Sequence, residues 1–96
     1  MIYKLSFHPQ ALKEWGKLDG SIQAQFKKKL QQRLENPLVK KDKLRGYAQV
    51  YKIKLRTAGY RLAYQVLEDE IRIFVIVIGR RDAGKIYNML KKRHNI

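Results

Sequence analysis

Residues 51–66 constrain this chain more than any other stretch. Tyr51, Ile53 and Leu55 alternate with Lys52, Lys54 and Arg56. Such alternation makes a strand with one apolar and one polar face. Thr57-Ala58-Gly59 predicts a turn, after which Tyr60, Leu62, Tyr64 and Val66 alternate with Arg61, Ala63 and Gln65. Paired as a hairpin, the two strands set Arg61 on the same face as both lysines. Like charges facing one another across a sheet destabilise it. This cationic row therefore works against folding and in favour of binding a polyanion.

The whole chain leans the same way. It carries 22 Lys+Arg against 8 Asp+Glu, a formal net charge of +14. A nucleic acid is the first partner to expect, an acidic protein the second and an anionic membrane the third. No membrane span is expected, because the longest apolar run, Ile73 to Ile78, falls far short of the ~20 residues a bilayer needs. The opening Met1-Ile2-Tyr3-Lys4-Leu5-Ser6-Phe7 alternates like a strand and has no signal-peptide core, which predicts a cytoplasmic chain. Cysteine is absent, and His8 and His94 lie at opposite ends, so neither thiolate chemistry nor a zinc site is expected. The length predicts one domain over 1–96.

Along the chain, residues 2–7 read as a strand. Pro9 opens a helix running to about Leu18, with Leu12, Trp15 and Leu18 on one stripe. Asp19-Gly20 breaks it, and Ser21 is the expected N-cap of a second helix in which Ile22, Phe26, Leu30 and Leu34 recur once per turn. Asn36-Pro37 ends that helix, and the basic connection Lys40 to Gly46 leads into the hairpin. Glu68-Asp69-Glu70 is an acidic turn. Ile71 to Ile78 reads as a strand covered on both faces. Asp82 is placed to cap a last helix with Ala83, Ile86, Tyr87 and Leu90 on one face, and Lys91-Lys92-Arg93 and His94 form a basic, fraying tail. The order β-α-α-β-β-β-α predicts an α+β fold: a mainly antiparallel four-stranded sheet, helices on one face, the cationic face at least partly open.

Each signal has a plainer alternative. Lys52, Lys54 and Arg61 could be a solvated strand face. Against that, residues 40–61 hold eight basic residues and only one acidic, Asp42, whereas a face serving solubility alone mixes signs. Arg80-Arg81 stands where a strand gives way to a helix, a place that favours phosphate, or it is a solvated loop pair. Tyr87 is either a core residue or a partner for a base or phosphate. Lys27-Lys28-Lys29 reads as a solvated helix face with at most non-specific phosphate contact.

Several segments together resemble the RelE toxins of type II toxin–antitoxin systems. These are Ala11 to Trp15, Lys27 to Leu30, Lys43 to Gly46, Tyr51 to Arg56, Gly59 to Leu62, and Gly79 to Tyr87. The resemblance covers nearly the whole chain. Gly59-Tyr60-Arg61-Leu62 alone belongs to the wider RelE/ParE superfamily. The resemblance implies a metal-independent endoribonuclease without cofactor that cuts messenger RNA in the ribosomal A site, against small-subunit ribosomal RNA. It implies neutralisation by an acidic RelB-like antitoxin, and contact with operator DNA only through that complex. The family's catalytic set maps onto Lys52, Lys54, Arg61, Arg81 and Tyr87. Arg45, Lys52, Arg56, Arg61 and Arg80 are the expected substrate-binding residues. Two rivals stand beside this reading: a non-catalytic nucleic-acid or ribosome binder, and a ParE-like gyrase inhibitor.

The residues allow a mechanism. Lysine is a poor base at its ordinary pKa of about 10.4, but a crowd of positive charge lowers it. Lys54, between Lys52 and Arg56 and across from Arg61, is the expected base for a 2′-hydroxyl. Lys52 and Arg61 would grip the phosphate, Arg81 would stabilise the leaving side, and Tyr87 would orient the nucleotide.

Overall fold

A computed structural model describes residues 2–80 and 84–94. Its strands are β1 (Lys4–Phe7), β2 (Val50–Leu55), β3 (Tyr60–Leu67) and β4 (Arg72–Arg80), and its helices are α1 (Pro9–Gly16), α2 (Gly20–Glu35) and α3 (Lys85–His94). Two 3-10 turns, Lys40–Asp42 and Glu68–Glu70, add to the expected order. Pro9 sits in the first turn of α1, and the His8 imidazole accepts the Gln10 N–H at 3.1 Å. At α2 the N-cap is Asp19, not Ser21, and its side chain makes no capping bond. β1 is shorter than expected because Tyr3 N–H bonds the Leu34 carbonyl at 2.9 Å.

The sheet is not mainly antiparallel. Its strand order is β1-β4-β3-β2, and β1 runs parallel to β4 while the other two pairs are antiparallel. A parallel pair needs a long crossover, and α1 with α2 supplies it. The crossover frees β1 from pairing with its sequence neighbour β2 and lets it flank apolar β4. Within β4, Ile73, Val75, Ile76, Val77 and Ile78 are all buried.

Nor do the helices share one face. α1 and α2 cover Tyr51, Ile53, Leu55, Leu62, Tyr64, Val66, Ile73, Val75 and Ile78, with Phe26 and Leu30 at the centre. α3 packs on the opposite face, where Ile86 and Leu90 meet Val50, Ala63, Ile76 and Val77. A strand apolar on both faces needs a layer on each. The register shift at Ala63/Tyr64, which leaves Ile76 without a partner, adds one more apolar side chain to the α3 side. Of the stripe expected on α1, Trp15 and Leu18 pack against the core but Leu12 does not. Ala11 is fully buried and Leu12 is 55% exposed, because the small side chain lets the helix approach the sheet.

Gly59 ends the hairpin turn at φ +73°, a conformation that glycine adopts without strain. A polar lock holds the outer strand. Arg33 of α2 donates to the Tyr64 hydroxyl (2.9 Å), to the Lys52 carbonyl (3.3 Å) and to the Asp42 carboxylate. Tyr64 in turn donates to the Pro37 carbonyl at 2.8 Å. Among the described residues, no helix is long and apolar enough to cross a membrane.

Candidate active site

The hairpin register sets Lys54 opposite Arg61 and Lys52 opposite Ala63. Strand alternation puts all three cations on the α3 side of the sheet. α3 covers only part of that side, and Lys52, Lys54 and Arg61 remain half-exposed. Tyr87, one residue beyond the buried Ile86, is also half-buried, and its hydroxyl accepts a hydrogen bond from Arg61 Nη1 at 2.9 Å. Tyr87 therefore both packs on the core beneath α3 and reaches the cationic row. Arg61 Nε is buried without a hydrogen-bond partner among the described residues.

The Lys54 ammonium is held below its ordinary pKa. The nearby Lys52 is the main cause, through charge and through hydrogen bonding, followed by desolvation, Arg61 and Arg56. That direction is the one the sequence predicts for a lysine acting as a base.

Arg56, exposed just past β2, borders two cavities. One, about 280 Å³, lies against Lys54, Tyr60 and Arg61. The other, about 640 Å³, wraps the outer edge of β2, where Lys29, Lys41, Lys52 and Lys54 join Arg56. Asp42 also lines it but is paired to Arg33, so the cations dominate. Lys29 and Lys41 were not expected there. Lys29 stands one turn before Arg33 on α2, and Lys41 belongs to the basic connection Lys40 to Gly46.

The other expected residues are placed less centrally. Arg80 lies exposed at the end of β4 with its guanidinium 5.7 Å from the Tyr60 ring centroid, and its pairing with Tyr60 sets it on the face opposite Arg61. Arg45 is exposed in the loop before β2. The neighbouring Leu44 and Tyr47 pack beneath α3, and the Tyr47 ring meets His94 edge-on at 5.1 Å, at the far end of the helix from Tyr87. His94, expected in a fraying tail, is thus part of this packing. Arg81, Asp82 and Ala83 lie outside the described residues.

The chain is similar to known toxins in sequence and in fold. Residues 5–83 match the family described as ParE toxin of type II toxin-antitoxin system, parDE. The mRNA interferase toxin RelE of Escherichia coli (strain K12) is 47% identical over 93 residues, which cover 97% of this chain and 98% of that protein. A free-state structure of a mutant E. coli toxin RelE superposes with a TM-score of 0.90 at 47% identity, covering 97% and 98% of the two chains. The intact E. coli RelBE toxin–antitoxin complex contains a chain that matches at TM-score 0.81 and 49% identity, over 83% of this chain and 98% of that one.

Proposed function

Because the chain belongs to the family of RelE and ParE toxins of type II toxin–antitoxin systems, we propose that it works as a ribosome-dependent mRNA interferase. It is an endoribonuclease that cuts messenger RNA in the A site of the ribosome, against small-subunit ribosomal RNA. A RelB-like antitoxin restrains it, and the +14 charge suits an acidic partner segment. The observation that carries the reading is the Arg61–Tyr87 hydrogen bond, which joins α3 to the strand face bearing Lys52 and Lys54.

Cleavage proceeds by attack of the 2′-oxygen on the adjacent phosphorus. The new 2′-O–P bond forms as the P–O5′ bond breaks, leaving a 2′,3′-cyclic phosphate and a 5′-hydroxyl. Lys54, with its lowered pKa, takes the 2′-hydroxyl proton. Lys52 and Arg61 hold the non-bridging oxygens as charge builds on them. Tyr87 orients the nucleotide beside Arg61. Arg81 stabilises the negative charge on the leaving 5′-oxygen, since arginine does not readily give up a proton, and that oxygen takes its proton from water to become the 5′-hydroxyl. Arg56, which borders both cavities beside Lys54, would hold the RNA backbone that flanks the cut. His94, on this side of the sheet, lies at the far end of α3 from Tyr87 and not beside Lys54, so the ribosome must supply much of the substrate's orientation, worth several kcal/mol.

The test is the chemistry of the ends. Programmed ribosomes treated with the protein should yield a 2′,3′-cyclic phosphate or 3′-phosphate upstream and a 5′-hydroxyl downstream, and Tyr87→Phe should slow their appearance. The ParE description of the family keeps a gyrase poison as the second reading, and that activity would give DNA breaks while the mRNA stayed whole.

A further inference from the structure

Tyr87 works only if α3 sits at one setting on the sheet. Ile86 and Leu90 bury against it, but apolar contact is non-directional and fixes neither the rotation nor the axial position of a helix. The approach is close all the same. A Cβ built on Gly79 would stand 3.0 Å from Ile86 Cδ1, so small shifts of α3 matter.

The directional contacts lie at the other end of the helix. The β1–β4 ladder stops at Phe7 and Val75, with His8 N–H closing it on the Val75 carbonyl at 2.7 Å. Beyond that point β4 has an edge that β1 does not reach. Two side chains take it over. Glu14 of α1 accepts the Ile78 N–H at 3.0 Å, and Arg93 of α3 donates to the Ile76 carbonyl at 2.9 Å. The same two residues pair with each other through two bonds, at 2.9 and 2.8 Å. The Arg93 side chain is only 9% exposed and that of Glu14 24%.

We infer that Glu14 and Arg93 are positioning residues for the cleavage reaction: their clamp on the free edge of β4 sets α3 so that the Tyr87 hydroxyl meets Arg61. This rests on the reading of Tyr87 as a substrate-orienting residue. A forked guanidinium–carboxylate pair fixes orientation as well as distance. A charged pair this deeply placed adds little net stability over an apolar pair, which fits a role in setting geometry. Arg93 stands six residues after Tyr87, about 9 Å along the helix, so a tilt at the clamp is carried to the tyrosine.

The experiment is a double-mutant cycle on the full chain, read by single-turnover cleavage on programmed ribosomes. Glu14→Gln keeps the volume and an acceptor for Ile78 N–H but loses the ion pair. Arg93→Lys keeps the charge and loses the fork. Each should lower the rate at saturating ribosomes roughly tenfold, given that a ~1 Å misplacement can cost ~100-fold. Ribosome affinity should stay within about twofold, because the pair is remote from Lys52 and Lys54. Hydrogen exchange should quicken in 85–94 and not in 60–67, which also shows that the variants are folded. In a Tyr87→Phe background, Glu14→Gln should have little further effect. An unchanged rate in both variants, or an equal loss with and without the Tyr87 hydroxyl, overturns the inference. If Tyr87→Phe alone cleaves at the full rate, the role given to Tyr87 fails instead, which is a distinct result.

Discussion

Lys54, the proposed base, is the sharpest test at the scale of single residues. Its free-base form must exist near neutral pH, and Lys52 does most to favour it. The log of the cleavage rate should therefore climb with pH below the lowered pKa and level off above it. In Lys52→Ala the main cause of the lowering is gone, so the climb should move to higher pH, beyond any change in maximal rate. Single-turnover rates on programmed ribosomes would check this, and an unmoved limb would remove Lys54 as the base. Tyr87→Phe deletes one hydrogen bond to Arg61, so unfolding free energy should change by no more than about 1.5 kcal/mol. Cleavage should drop by about tenfold or more, and equal stability with equal rate would leave Tyr87 as packing only. Lys52, Lys54 and Arg61 were legible because strand alternation fixes which side chains share a face. Tyr87 was ambiguous because its stripe on α3 satisfies the core, and only the placed helix brings its hydroxyl to Arg61.

Among the elements, β2 and α3 form the walls of the site, and each is held by an arginine that periodicity did not single out. Arg33 locks β2 and the Lys40–Asp42 turn to α2. Arg33→Ala would leave the Asp42 carboxylate and the Tyr64 hydroxyl short of a partner, at a cost of about 2–4 kcal/mol. Urea unfolding would measure it, and a loss under about 1 kcal/mol would mean that the lock is incidental. A hint was present, since Asp42 is the lone acid in a basic run and such a residue usually has a specific partner. On the α3 side, Gly79→Ala should push Ile86 outward and slow cleavage while costing about 1–2 kcal/mol of stability, and a rate equal to wild type would show that α3 has slack. The helices and the hairpin were readable from spacing and turn residues. The mixed sheet was not, because the pairing of β1 with β4 depends on where the α1–α2 crossover delivers the chain. The second layer was missed for a related reason. A doubly apolar β4 calls for cover on both faces, but nothing in its sequence says which helix supplies it.

For the whole molecule, charge decides the encounter and geometry decides the cut. A net charge of +14, with lysines gathered around the outer edge of β2, should make ribosome binding fall steeply with salt. The log–log slope should flatten by roughly one for each backbone-contacting cation removed, with Lys29→Ala and Lys41→Ala as the probes, and an unchanged slope would place the RNA elsewhere. Charge alone does not separate a nuclease from a basic binder. What separates them is the meeting of Lys54, Arg61 and Tyr87 from three elements. The most direct test is primer extension on a defined mRNA held in ribosomes with an open A site, beside the same mRNA free in solution. The account predicts a sharp A-site cut with ribosomes, little or none without them, and its loss in Arg61→Ala. An uncut mRNA on ribosomes that still bind the protein, or equal cutting of the free RNA, would contradict it.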